Sequence, residues 1–243
     1  MYCHHNMIIT IKHIINGYSD MREPKISKNL TVLCSSKTDL RYGMNKLYPT
    51  EVFLGRAEDN NKHHYDKFLN EVIKNFDLDI ITTDFGTDLL NSDNEIFKTF
   101  RDEVVFPDFK NYCKSLNITV KRDMAFLRSR LVGCKSGYYI PLHTHAASHF
   151  SSVYYLISEG EIEGGELIIE DPRTHAKRGY WNDDVEEMFY RQVFAPTSYD
   201  HIIFPSFLEH HSVPFKGNLR LALSVDLYIL PESDILQPFL DPF

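Results

Sequence analysis

Two textures of hydrophobic patterning succeed one another along the chain, with the change near residue 115. In the first, apolar side chains recur at helical spacing. Tyr65, Phe68, Leu69, Val72, Ile73 and Phe76 follow the i, i+3, i+4, i+7 rule, which predicts an amphipathic helix over residues 61–76. A second helix is predicted over residues 94–116 from Ile96, Phe97, Phe100, Val104 and Val105. Pro107 should kink or divide it, because proline brings no amide proton and its ring crowds the preceding turn. Ahead of both helices, residues 7–15 read as a strand, their apolar run broken by Thr10, Lys12 and His13.

From Ile118 onward the period changes. Short runs rich in Val, Ile, Leu, Tyr and Phe alternate with Gly, Pro, Asn and Asp, and strands are predicted at 118–120, 125–132, 151–157, 166–170, 191–195, 201–204, 211–215 and 219–229. This many short strands with turn punctuation predict a sandwich or barrel, with the earlier helices packed on its outside. The expected fold class is mainly β with flanking helices.

Composition narrows this picture. A chain of 243 residues with 43% hydrophobic and 13% aromatic content can bury one substantial core. The expectation is a single domain over 1–243, in which 1–115 packs against a β core of 116–243. No stretch reaches the roughly 18 uninterrupted apolar residues that a membrane span requires. Four cysteines without CxxC spacing are too few for a disulfide scaffold, so a reducing, cytoplasmic setting is expected. The formal net charge of −8 argues against broad affinity for nucleic acid. Arg128 and Arg130 share parity on a predicted strand and would project together, ordinarily as a solvated strand face.

Candidate chemistry lies in histidine placement. Of 12 histidines, six fall in two short windows: His143, His145 and His149, then His201, His210 and His211. Residues at i and i+2 of an extended segment point the same way, so His143 and His145 can direct two imidazoles at one ion. His210 or His211 would supply a third. Imidazole suits Fe, Zn, Cu and Ni, and a facial set of three ligands leaves coordination positions open for substrate and O₂. Paired histidines also occur on surfaces and in hydrogen-bonded cores, so the pair alone does not define a site. A second feature is Arg220, inside the hydrophobic strand Leu219–Leu223. A buried guanidinium is costly unless an anion pairs with it, and a dicarboxylate would do so with bidentate geometry.

The fragments Leu142-His143-Thr144-His145, Ser152-Val153-Tyr154-Tyr155-Leu156, Gly164-Gly165-Glu166-Leu167, Asp171-Pro172-Arg173, Phe204-Pro205-Ser206, His211-Ser212-Val213 and Arg220-Leu221-Ala222-Leu223-Ser224 occur in one order. In that order and spacing the chain resembles the iron(II), 2-oxoglutarate-dependent oxygenases, in particular the prolyl-hydroxylase-like and phage-type branches, over residues 137–228. The resemblance implies a double-stranded β-helix (jelly roll) core and a reaction coupling 2-oxoglutarate decarboxylation to hydroxylation of a protein residue or small molecule. It implies Fe(II) bound by His143, His145 and His211, with His210 the register alternative at the usual distance from Phe-Pro-Ser. It implies that Arg220 holds the far carboxylate of 2-oxoglutarate, with Tyr155 and Ser224 as further contacts. Glu166 reads as scaffold.

The chain departs from that family's pattern at His145, which stands where a carboxylate ligand is usual. Three readings follow: a working three-histidine triad, a carboxylate supplied from elsewhere by Glu209 or Asp200, or a fold kept for binding after catalysis was lost. A three-histidine dioxygenase independent of 2-oxoglutarate and a non-catalytic binding module therefore stand beside the leading reading. Tyr138, Tyr139, Phe150, Tyr154 and Phe207 could wall a substrate cavity, although such residues are more often core. The charged segment 172–192, with Trp181, reads as a lid or recognition loop. The aromatic tail 231–243 reads as a segment docking on its own domain or on a second subunit.

Overall fold

A computed structural model describes residues 50–78, 88–158, 164–173 and 191–230, all within one compact unit, Thr50–Phe243. The readings placed on residues 7–15, on most of the charged loop with Trp181, and on the tail lie outside the described residues. No helix among the described residues is long and apolar enough to cross a membrane.

The first predicted helix is α1, Asp59–Asn75, and its apolar stripe does what the spacing requires: Tyr65, Phe68 and Val72 are buried. The second predicted helix is divided. Its first part, α2 (Glu95–Phe100), starts at Asn94, whose side-chain oxygen accepts hydrogen bonds from the backbone amides of Ile96 and Phe97. A wide π turn, Arg101–Val105, then leads into α3, Phe106–Ser115. The widening falls just ahead of Pro107, whose ring would press on the carbonyl four residues back in a regular helix. Here the Phe106 amide donates to the Arg101 carbonyl, so the chain stays helical around the proline.

The strand predicted at 118–120 does not form. Asn117 adopts a left-handed conformation with φ 60°, and the Ile118 amide donates to the Cys113 carbonyl at 2.8 Å, so these residues close the helix end instead of joining a ladder. The remaining strands are β1 (Phe53–Arg56), β2 (Ala125–Cys134), β3 (Phe150–Ile157), β4 (Leu167–Glu170), β5 (Arg191–Phe194), β6 (Asp200–Pro205), β7 (His210–Ser212) and β8 (Arg220–Ile229). They form two antiparallel sheets, ordered β1-β6-β3-β8-β2 and β5-β4-β7. The mainly β fold with flanking helices expected from the sequence is the fold observed.

Strand alternation divides the larger sheet into two faces with different work. Leu221, Leu223, Val225 and Leu227 of β8, with Leu127, Leu131, Tyr154 and Ile203, pack in one cluster with Tyr65, Phe68, Phe97, Phe100 and Phe109 of the helices. This outer core accounts for most of the buried apolar surface and so for most of the hydrophobic stabilisation. The inner face meets the smaller sheet through Ile202 and Phe204 on one side and Leu167 and Ile169 on the other. Directly paired residues of antiparallel strands share a face, so the pairings Tyr155↔Ala222, Arg130↔Ser224 and Cys134↔Arg220 also put Arg130, Tyr155, Arg220, Ser224 and Asp226 on that inner side.

Candidate metal centre

His143 and His145 lie on the segment that joins β2 to β3, fixed there by backbone contacts with the other sheet. The His143 amide and carbonyl exchange hydrogen bonds with His210, both at 3.0 Å, and the His145 amide donates to the Ser206 carbonyl at 3.1 Å. These contacts carry the two imidazoles to β7. His143, His145 and His210 form the one group among the described residues whose ligand atoms could hold a metal ion, all lying within 4.8 Å of one another. The Nε2 atoms of His145 and His210 are 3.2 Å apart, close to the roughly 3 Å expected of two nitrogens about 2.1 Å from one ion at a right angle.

What makes this a candidate centre is the orientation of the rings. His143 Nδ1 lies 2.8 Å from the Pro141 carbonyl, and His210 Nδ1 lies 2.8 Å from the Leu208 carbonyl. His145 Nδ1 lies 2.6 Å from Asp226 Oδ1, a short contact that is bent away from ideal hydrogen-bond alignment. In each case Nδ1 faces an oxygen that can only accept a proton, which favours the tautomer that leaves Nε2 free for coordination. Burial drives the His210 ring down to about 3, so it is neutral and competent as a ligand across the working pH range. Burial also lowers His143, with the neighbouring His145 adding to the effect.

The distal position corrects the expectation drawn from the Val at 213. Of the two adjacent histidines, His210 and not His211 meets the pair. The reason is strand phase. β7 pairs with β4 in the register Ile169↔His210 and Ile168↔His211, so His210 shares the inner face with Ile169 while His211 turns outward. There its Nε2 stands 3.5 Å from Glu170 Oε1. The other two histidines of the windows are also elsewhere. His149 is exposed, its Nδ1 accepting from the Ile229 amide at 3.0 Å. His201 is buried on the outer face, stacked on Tyr154 and 3.5 Å from Asp108.

Neither carboxylate considered from the sequence approaches the group. Asp200 is engaged with Arg56 at 2.9 Å and with Thr197, and Glu209 is exposed. The carboxylate beside the triad is Asp226, which sequence reasoning passed over. Its parity with Arg220 and Ser224 along one strand was the available signal. Asp226 is almost fully buried; its Oδ1 accepts from Ser151 Oγ at 2.8 Å and its Oδ2 from Arg130 Nη2 at 2.7 Å. Burial alone would raise its carboxyl, but His145, Ser151 and Arg130 together hold it below the usual carboxylate range. Arg130 is thus not a solvated face residue: the pair Arg130–Asp226 spans the inner side of β2 and β8.

Arg220 fulfils the expectation of a buried guanidinium. It is 7% exposed, its Nη1 donates to the Gly165 carbonyl, and its Nε has no hydrogen-bond partner among the described residues. Phe215 and Tyr155 flank it, with Cζ 4.8 Å and 5.8 Å from their ring centroids. An orphaned buried cationic donor on the inner face is what a bound carboxylate would satisfy, so the residues fit a dicarboxylate. Ser224 is half-buried on the same face, opposite Arg130 and Val153. Of the aromatic candidates, Phe150 and Tyr154 are outer-core residues, whereas Tyr139 and Phe207 are exposed at 52% and 62%.

Comparison with known proteins agrees with this geometry. Residues 129–226 match a family described as "Putative 2OG-Fe(II) oxygenase". The matched stretch is less than half of the chain but takes in His143, His145, His210, Arg220 and Asp226, and over it the chain is similar to the 2OG-Fe(II) oxygenases. A search of curated proteins finds no match. Among solved structures, a Pseudomonas putida prolyl-4-hydroxylase is similar at a TM-score of 0.53 and 12% identity, covering 75% of this chain and 94% of that one. The non-haem alpha-ketoglutarate-dependent epimerase SnoN of nogalamycin biosynthesis is similar at a TM-score of 0.50 and 11% identity, covering 80% and 88%. A Burkholderia pseudomallei oxidoreductase of the 2OG-Fe(II) oxygenase family matches at a TM-score of 0.41 and 16% identity, with this chain spanning 56% of its length.

Proposed function

We propose that the protein is a 2-oxoglutarate-dependent hydroxylase that holds iron(II) through Nε2 of His143, His145 and His210 and acts on a protein side chain or a small molecule. The observation that carries this reading is the common orientation of the three rings. Each Nδ1 faces an oxygen, the Nε2 atoms of His145 and His210 come within 3.2 Å of each other, and His143 completes the same group. Structural histidines in a core have no reason to share this arrangement, whereas three ligands to one ion require it.

Iron(II) and 2-oxoglutarate together supply the oxidising power when bound, and the chain supplies placement. His143, His145 and His210 would hold the iron. Arg220 orients the co-substrate through its distal carboxylate, and Tyr155 and Phe215 keep water from the guanidinium so that the ion pair is made in a low-dielectric surrounding. Burial raises the Tyr155 phenol well above its ordinary value, so it stays protonated and available as a donor. Exposed Tyr139, Leu142 and Phe207 adjoin the histidine segment and the Ser206 turn, and we assign them to the substrate side. A protein substrate is supported by the likeness to the prolyl-4-hydroxylase; the likeness to an epimerase on the same fold makes the reaction type the point to test. The free, buried thiols of Cys113 and Cys134 accord with a reducing, cytoplasmic setting as part of the same proposal.

One observation favours a second reading. The candidate ligand group contains no carboxylate, as in a three-histidine dioxygenase that needs no 2-oxoglutarate. The two readings separate on succinate. Aerobic incubation with Fe(II) and 2-oxoglutarate should release succinate, slowly without substrate and faster with it, and Arg220→Ala should abolish the release. Iron-loaded protein that consumes O₂ with substrate but yields no succinate would establish the second reading instead.

A further inference from the structure

The buried residues around Asp226 extend the site beyond its three ligands. Asp226 Oδ1 faces His145 Nδ1 at 2.6 Å and takes the Ser151 hydroxyl at 2.8 Å, while Oδ2 is held by Arg130 at 2.7 Å. Ser151 Oγ lies 2.7 Å from Ser206 Oγ, which in turn accepts from Ser148 Oγ at 2.8 Å. A chain of hydroxyls therefore runs from the Phe-Pro-Ser turn to the carboxylate. Every member but Ser148 and Arg130 is buried to nine-tenths or more. A carboxylate that deep is expensive to maintain unless each oxygen is satisfied, and here three groups converge on it.

We infer that Asp226 is a positioning residue that turns His145 into a metal ligand: the carboxylate absent from the ligand set acts one contact further out. Standing 2.6 Å from Nδ1, the Asp226 carboxylate draws the proton of His145 to the side away from the other histidines and leaves Nε2 for the point shared with His210. It also raises the electron-donating power of the imidazole, which offsets part of the charge lost when histidine stands at a carboxylate position. Arg130 occupies the second oxygen, so Asp226 cannot swing toward the ligand point without breaking that ion pair. His143 and His210 rely on neutral backbone carbonyls for the same purpose, which makes His145 the one ligand whose partner is charged.

This inference rests on the three-histidine reading, and its test keeps the two apart. Co(II) affinity is measured by competition with a chelator for wild type, Asp226→Asn and Asp226→Ala, with thermal midpoints recorded alongside. In the metal-free protein, long-range ¹⁵N–¹H spectra report which His145 nitrogen carries the proton. Wild type should bind one Co(II) and show His145 protonated at Nδ1. Both variants should bind ten- to a hundredfold more weakly, and Asp226→Ala should show a mixture of His145 tautomers. The spectra need no metal and read a property that loss of packing alone would leave in place at His143 and His210. Wild-type affinity in Asp226→Asn together with an unchanged His145 tautomer in Asp226→Ala overturns the inference while leaving the triad intact. A wild type that binds no metal overturns both.

Discussion

Gly165 offers a perturbation whose size can be worked from the structure. It has φ +82°, and a Cβ added there would lie 2.7 Å from both Cζ and Nη2 of Arg220 and closer still to Nη1. Those distances are shorter than real Cβ atoms tolerate, so Gly165→Ala must displace the guanidinium. The left-handed backbone itself costs an alanine about 1–2 kcal/mol. Displacing Arg220 loses charge-assisted hydrogen bonds to the co-substrate, worth about 1.5–3 kcal/mol each, which weakens 2-oxoglutarate about ten- to a hundredfold. Gly137→Ala is the control. Gly137 has φ +85° but nothing within 4 Å of its added Cβ, so it carries the same backbone strain and no collision. Calorimetric titration of 2-oxoglutarate into anaerobic, Fe(II)-loaded protein should find weakened binding in Gly165→Ala and wild-type affinity in Gly137→Ala, with both variants less stable. A folded Gly165→Ala that binds 2-oxoglutarate as tightly as wild type would refute the assignment of Arg220.

Other predictions follow from buried polar groups away from the centre. Asp108 is raised to about 7 by burial, against 3.8 unfolded, with Tyr154 and His201 at 3.3 and 3.5 Å. Because the folded value is the higher one, its cost is absent below about pH 4 and complete only above 7. Asp108→Asn should therefore stabilise more at pH 8 than at pH 5, by about 2–3 kcal/mol in chemical denaturation, less whatever solvent screens at this quarter-exposed side chain; an equal effect at both pH values would contradict this. Ser129 Oγ accepts from the Leu90 amide and donates to Asp88, both within 3.0 Å, in a nearly inaccessible position. Ser129→Ala should lower stability by about 1–3 kcal/mol, measured by urea unfolding, without changing metal content. His211, turned toward Glu170 on the outer side, should tolerate alanine with metal content unchanged by elemental analysis.

The parts of the fold legible in the sequence are those set by local period. Six of the strands predicted after residue 115 recur within one or two residues of their expected bounds, a seventh ends three residues early at Ser212, and α1 follows from its stripe alone. What failed, failed where non-local or end effects decide. Ile118 and Val120 have strand composition, but the left-handed turn at Asn117 ties them to a helix end. The histidine pair at 143 and 145 was legible because i, i+2 parity is local. The choice between His210 and His211 was not, since it depends on the phase in which β7 meets β4. Asp226 was hidden for a related reason: within an apolar strand it reads as a costly exception, and only the β2–β8 register brings Arg130 to it and only the loop after β2 brings His145. β1 (Phe53–Arg56) lay outside the pattern altogether, being a short edge strand with two large apolar residues, Phe53 and Leu54, exposed.

The central claim is that His143, His145 and His210 hold an iron that 2-oxoglutarate chelates. Its most direct test is anaerobic Fe(II) titration in the presence of 2-oxoglutarate, following the weak visible charge-transfer band of the chelate in wild type, His210→Ala and His211→Ala. The account predicts a saturating band with one Fe(II) per chain in wild type and in His211→Ala, and its loss in His210→Ala. A band that survives His210→Ala, or that never forms in iron-bound wild type, would contradict it.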